Sequence, residues 1–304
     1  MTPALPAAVP DFSRLKDLAL SAVSSPHTRR AYSQALDSFF DWYVAAGYPP
    51  FDKTVVQNWR TELQRRGLAP ASINVRLSAV RRLAAEAEEA GVLAPAQAAA
   101  LARVKGIRRR GVRAGNWLTA EQARRLLHSP DLGTPRGRRD HVILALLLGC
   151  GLRRAEVADL KMENLQLRGG RWVIPDLVGK GNRLRTVPVP AWVKQTIDLW
   201  LTGAGLSSGP LLRSVNKAGR VGSQPLSERV IWQVVRAHAG PLGLSGLAPH
   251  DLRRTCAKLC RAAGGDLEQI QLLLGHASIQ TTERYLGTRQ NLDVAVNDHL
   301  GLEP

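Results

Sequence analysis

Acidic residues are scarce in this 304-residue chain: 25 Asp and Glu stand against 42 Lys and Arg, a formal net charge of +17 at neutral pH. Such an imbalance is out of place in an enzyme of neutral small molecules. It points to a polyanion, nucleic acid first, because cationic side chains release condensed counterions when they neutralise phosphates. The excess is mostly arginine, whose planar fork suits bidentate phosphate contacts. A GC-rich genome would also enrich arginine, with Ala, Gly and Pro, but would not remove acidic residues. Cysteine is nearly absent too. Three cysteines cannot build a disulfide framework, and an odd number suits a reducing cytosol. Cys256 and Cys260 share a helical face near His250, yet no fourth ligand stands at a customary spacing, so small buried residues are expected there and no metal or other cofactor. Long apolar runs are missing. The longest, "VILALLLGCGL", falls well short of the ~20 residues a membrane span requires. The first residues, "MTPALPAAVPDF", lack the basic and apolar regions of a signal peptide. A protein of the cytoplasm is the expectation.

What is present organises the chain into two parts. At 304 residues the chain fits two domains better than one core. The first hundred residues read as helices. In "SPHTRRAYSQALDSFFDWYVAAG", Tyr32, Leu36, Phe39, Phe40 and Tyr43 recur at helical spacing and Gly47 ends the run. "DKTVVQNWRTELQRRG" places Val56, Trp59 and Leu63 on one face. "ASINVRLSAVRRLAAEAEEAG" does the same with Ile73, Leu77, Val80 and Leu83, and sets Arg76, Arg81 and Arg82 on the other side as candidate DNA contacts. "PAQAAALARVKG" completes a small bundle over 1–102. Residues 103–116, "RVKGIRRRGVRAGN", hold almost no core formers and read as the boundary. Their Arg108, Arg109 and Arg110 make the segment either a solvated cationic linker or a strap along DNA. From 117 to 304 the chain reads as α+β, mainly helical. Thr119/Gln122 and Asp266/Gln269 resemble capping boxes. "RRDHVILALLLG" is a buried helix, "RWVIPD" and "RTVPVP" form a hairpin, and the rest is helical.

Several local patterns carry residue types suited to a phosphodiester. Arg153 and Glu156 stand three apart at a turn-to-helix junction, so the carboxylate either orients the guanidinium or forms an ordinary surface pair. Lys180 sits between two glycines at the hairpin tip. His250 and Arg253 lie one turn apart at a helix start. His276 precedes Tyr285, one of only four tyrosines, in an unusually polar run.

In this order the motifs "GLRRAEV", "GKGNRLRTVPVP", "HDLRRT" and "LLGHASIQTTERY" resemble those of the tyrosine recombinases, the family of phage integrases and Xer-type resolvases. One departure is Arg254, at a place often held by histidine. The resemblance implies a helical SAM-like core-binding domain followed by an α+β catalytic domain, folded as a C-shaped clamp around DNA. It implies that Tyr285 is the nucleophile of a 3′-phosphotyrosine intermediate and that Arg153, Arg253 and His276 hold the phosphate. Lys180 would be the general acid, His250 the group acting on the tyrosine proton, and Glu156 the support of Arg153. It further implies two inverted half-sites in double-stranded DNA, a monomer or weak dimer when free, and a homotetramer on synapsed DNA. The tail after Tyr285 carries Leu292, Val296 and Leu300 at i, i+4 and i+8, for docking on its own domain or on a neighbouring protomer. A type IB topoisomerase and a non-catalytic DNA-binding descendant are the alternatives.

Overall fold

The structure is a computed structural model that describes residues 12–108, 116–178 and 184–287. The chain divides into two compact units, Met1–Val112 and Arg113–Pro304.

The first unit is helical: α1 (Phe12–Ser21), α2 (Pro26–Ala45), α3 (Lys53–Arg65), α4 (Pro70–Glu89) and α5 (Pro95–Ala102). Proline opens α2, α4 and α5, where its missing N–H has no intrahelical partner to lose. Asp52 caps α3 by accepting the Val55 N–H at 3.0 Å. The core joins the stripes read from the sequence: Leu36, Phe39 and Tyr43 of α2, Val56, Trp59 and Leu63 of α3, and Ile73, Leu77, Val80 and Leu83 of α4. Phe39 meets Trp59 edge-on at 5.0 Å, and Tyr32 and Phe40 pack partly buried at the margin. Helix α1 was not anticipated. Its apolar stripe is short: among the described side chains Leu15 and Ala19 are buried and Leu18 packs partly buried beside them.

The second unit begins with α6 (Ala120–Leu127), where the Thr119/Gln122 box closes with bonds of 3.0 and 3.1 Å. Helix α7 (Pro135–Gly149) runs through the core, with Val142 to Leu147 fully buried, and α8 (Arg154–Asp159) follows after a turn. Strands β1 (Gln166–Arg168), β2 (Arg171–Val178) and β3 (Leu184–Pro188) form an antiparallel sheet in that order, Ile174 facing Val187. Helix α9 (Ala191–Ala204) precedes a second antiparallel pair, β4 (Arg213–Val215) and β5 (Val221–Pro225). This pair corrects the expectation that everything after the hairpin is helical. Its strands are short and hold Gly222, Ser223 and Gln224, without the apolar alternation that marks a half-buried strand. Helices α10 (Glu228–Ala239), α11 (Pro249–Ala262), α12 (Leu267–Leu274) and α13 (Ile279–Leu286) complete the unit. A second correction concerns α12: Asp266 is its N-cap residue, but its side chain makes no capping hydrogen bond. No described helix is long and apolar enough to cross a membrane.

Candidate active site

The site assembles around the C-terminal end of α12. The last carbonyls of a helix lack intrahelical donors and carry partial negative charge. Gly275 ends α12 in the left-handed region at φ +59°, and a Cβ there would come within 2.8 Å of the Arg185 side chain. Glycine is therefore required twice over, for the turn and for the close approach. The Leu274 carbonyl that this turn exposes is taken by two arginines from distant segments. Arg253 of α11 donates to it and to the Gly151 carbonyl, and Arg153 donates to it at 3.4 Å. The two guanidinium groups thus meet at one backbone oxygen.

Glu156 is no surface partner. Its side chain is 8% exposed, against 31% for Arg153. One carboxylate oxygen accepts the backbone N–H of Arg153 at 2.7 Å, capping α8, and the other accepts Arg153 Nη1 at 2.8 Å. Both oxygens also bind Arg185 of β3, at 2.7 and 2.8 Å, while Arg185 Nε donates to the Leu273 carbonyl at 3.1 Å. Burial alone would raise the Glu156 carboxyl. The hydrogen bonds and charge of Arg185, with the donors of Arg153, outweigh it and hold the group at about 2.

Tyr285 of α13 lies beside this cluster, half-buried. Its hydroxyl donates to the His250 backbone carbonyl at 3.3 Å. The His250 and His276 rings approach its ring edge-on at 5.4 and 5.1 Å, and the Arg254 guanidinium lies 4.7 Å from the ring centroid. Burial pushes the phenol up to about 12 even though Arg253 and Arg254 pull the other way. Burial and then the arginines, Arg253 foremost, bring His276 down to about 4, and its Nδ1 is tied to Thr282 Oγ1 at 3.0 Å. His250 is lowered by burial and then by Arg254 and Arg253. Both imidazoles are neutral at neutral pH.

Arg153, Glu156, His250, Arg253, His276 and Tyr285 therefore come together from well-separated parts of the chain. Lys180, Arg109 and Arg110 lie outside the described residues, as does the tail holding Leu292, Val296 and Leu300. Arg108 is exposed. The three arginines of α4 are half-buried and tied into their own unit: Arg81 donates to the Val104 carbonyl, Arg82 pairs with Glu86 at 2.6 Å, and Arg76 donates to the Ser72 carbonyl at 3.3 Å. Cys256 is buried and Cys260 half-buried. Among the described residues no three His, Cys, Asp or Glu side chains cluster as metal ligands.

Arg185 went unread in the sequence, and Arg254 stood out only as a departure from the family pattern, with no role beside Tyr285. Arg185 alternates with Val187 on the inward face of β3, and a charge at a buried strand position demands a buried partner. That alternation was the available signal. For Arg254 the signal was its place in the "HDLRRT" motif, and its contact with the Tyr285 ring came only with the packing of α13 on α11.

Residues 116–291 match the family model described as the phage integrase family, and residues 15–91 match the phage integrase N-terminal SAM-like domain. The chain belongs to the phage integrase family, the tyrosine recombinases. It is 31% identical to a tyrosine recombinase of Synechococcus elongatus, covering 91% of this chain and 89% of the relative. It is likewise 31% identical to the tyrosine recombinase XerC of Xanthomonas campestris, covering 89% and 81%. The crystal structure of the XerH site-specific recombinase, solved as a post-cleavage complex with a palindromic difH substrate, shares the fold. Its TM-score is 0.70 at 20% identity, over 91% of this chain and 81% of that one. As a tyrosine recombinase the protein is a DNA strand-cleaving and rejoining enzyme.

The buried carboxylate makes this recombinase acid-sensitive in a defined way. Glu156, held at about 2 against an ordinary 4.5, contributes stability that is complete above pH ~4.5 and lost as pH falls toward 2. His276, depressed to about 4 from 6.5, favours the folded state when neutral, so its contribution declines as pH falls from 6.5 to 4. Unfolding free energy from urea melts should therefore drop in two stages below pH 6.5. Glu156→Gln should abolish the lower stage and cost about 3 kcal/mol at pH 7, because Arg185 is left buried without its partner.

Proposed function

We propose that this tyrosine recombinase acts on double-stranded DNA at a specific site through a 3′-phosphotyrosine intermediate on Tyr285, with neither metal nor ATP. The observation that supports the reading is the meeting of Arg153 and Arg253 at the Leu274 carbonyl, beside His276 and the Tyr285 ring. Each guanidinium has five N–H donors and directs two at described protein acceptors, so donors remain for the nonbridging oxygens of a phosphate.

In the cleavage step the Tyr285 oxygen bonds to phosphorus and the bond from phosphorus to the 5′ oxygen breaks. The developing extra negative charge is met by preorganised arginines, in the place a metal ion would otherwise fill. Glu156 and Arg185 hold Arg153 in its orientation. His276, anchored through Nδ1 to Thr282, presents its other nitrogen to the phosphate, and the incoming negative charge raises its proton affinity. The phenol proton passes to a base, for which His250 is suited by being neutral. Lys180 protonates the departing 5′ oxygen. The phosphotyrosine conserves the phosphodiester's free energy, so a 5′ hydroxyl of another strand can attack it and rejoin without ATP. We assign the enzyme paired inverted half-sites, four protomers on synapsed DNA, a monomer or weak dimer when free, and a place on the bacterial nucleoid, for integration and excision or for resolution.

The test starts from a site that the protein itself selects from random-sequence duplex. A nicked duplex carrying that site should trap a covalent protein–DNA adduct that survives denaturation and forms equally well in EDTA. Failure to trap it, or a requirement for magnesium, refutes the proposal. Efficient relaxation of a plasmid lacking the site would favour topoisomerase action instead. Affinity for the site should fall steeply with salt, by about three orders of magnitude or more between 50 and 200 mM, if six or more phosphates are contacted. A shallow slope in a gel-shift series would rule out so extensive a backbone contact.

A further inference from the structure

Arg253 and Arg254 are neighbours on α11, and helical geometry turns adjacent side chains about 100° apart. Arg253 runs inward to the carbonyls of Gly151 and Leu274. Arg254 turns instead to α13, with its guanidinium carbon 4.7 Å from the centroid of the Tyr285 ring. That lies inside the ~6 Å over which a cation is drawn to an aromatic face. The other groups around the ring are Asp251 and Cys256 of α11, Arg253, and the edges of His250 and His276. Asp251 and Cys256 oppose ionisation of the phenol, and the two histidines are neutral near pH 7. Arg253 is directed at backbone carbonyls. Among the described residues Arg254 is the cation that lies on the ring itself, and a guanidinium keeps its charge throughout the working pH range.

We propose that Arg254 is a positioning residue for strand cleavage: its cation–π contact holds the Tyr285 ring and stabilises the negative charge that grows on the phenol oxygen as its proton leaves. The inference rests on Tyr285 being the nucleophile. A phenolate is more negative than a phenol, over the ring as well as the oxygen, so the attraction strengthens along the reaction. Interactions that strengthen toward the transition state are the ones that accelerate a reaction. Burial works against ionisation here, so a charge placed on the ring acts where the need is greatest.

The first measurement needs no DNA. With 3-fluorotyrosine at position 285 of the full chain, fluorine NMR follows ionisation of that phenol alone. Arg254→Met should move the midpoint up by about one pH unit, and Arg254→Lys should stay close to wild type. On the nicked duplex, Arg254→Met should cut single-turnover cleavage at pH 7 about tenfold, with DNA affinity within about twofold. The more acidic 3,5-difluorotyrosine at position 285 should restore Arg254→Met more than it accelerates wild type, a rescue that a merely structural role would not give. An unchanged midpoint and rate in Arg254→Met overturn the inference. Should that variant not fold, Arg254→His against Arg254→Lys replaces it. The neutral imidazole should give the higher midpoint at alkaline pH, and equal midpoints overturn the inference. An adduct that forms in wild type and survives Tyr285→Phe overturns the nucleophile assignment and this inference with it. An adduct abolished by Tyr285→Phe but indifferent to Arg254→Met overturns this inference alone.

Discussion

Tyr285→Phe is expected to lower covalent adduct formation by more than about 10⁴-fold, to below detection on a denaturing gel, while affinity for the selected site stays within about twofold. The substitution removes one oxygen and leaves the ring among His250, His276 and Arg254. The lost hydrogen bond to the His250 carbonyl, 3.3 Å long at a half-buried position, is worth about 1 kcal/mol or less. The fold and the phosphate-binding groups should therefore survive. The effect is large because no neighbouring group can replace the nucleophile. A phenol pushed up to about 12 is ionised to only about one part in 10⁵ at pH 7, so a resting phenolate does not carry the reaction. Proton removal must accompany attack, and cleavage by the wild type should accelerate as pH rises above neutrality. Adduct of undiminished yield from the phenylalanine variant would place the nucleophile elsewhere and end the assignment.

Arg153→Gln should reduce single-turnover cleavage by about 10²- to 10³-fold, as loss of a preorganised donor to a transition-state oxygen does elsewhere. Its unfolding free energy should change little, because Arg185 still holds Glu156 through two hydrogen bonds. Arg253→Gln makes the informative contrast. It should lose activity to a similar degree and also lose about 1–3 kcal/mol of stability, since Arg253 is 2% exposed and serves the buried ends of two segments. Cleavage rates and urea melts on the two variants separate the roles. Equal stability losses would show that both arginines are structural, and an active Arg153→Gln would remove it from the phosphate site.

The charge logic of the site was legible in the sequence to the extent that it depends on residue type. The order Arg153, Lys180, His250, Arg253, His276, Tyr285 could be proposed because each member stands in a short sequence motif, and all of them but Lys180, which lies outside the described residues, come together. Arg185 could not be read so simply. An arginine two residues before a valine looks like an edge-strand charge until β3 is known to face inward. Glu156 looked like half of an ordinary i,i+3 pair, and only a third residue from another strand makes it a buried hub. The arginines of α4 show the opposite case. Helical spacing put them on the polar side, and packing then drew Arg81 and Arg82 into contacts within their own unit. Strands β4 and β5 escaped notice because three- and five-residue strands pair through their backbones and leave little trace in side-chain alternation.

By itself, the sequence determined the helical character of both halves, the pairing of β2 with β3, the excess of cationic charge and the residue types of the candidate site. These follow from local periodicity, composition and side-chain chemistry, which need no knowledge of the rest of the chain. Tertiary structure alone decided where the groups meet. The meeting point is a main-chain oxygen, Leu274, that no side-chain pattern encodes, and it lies 121 residues from Arg153. Burial around it decided the rest, since removing water is what brings His276 down, pushes Tyr285 up and forces two guanidinium groups onto one carboxylate.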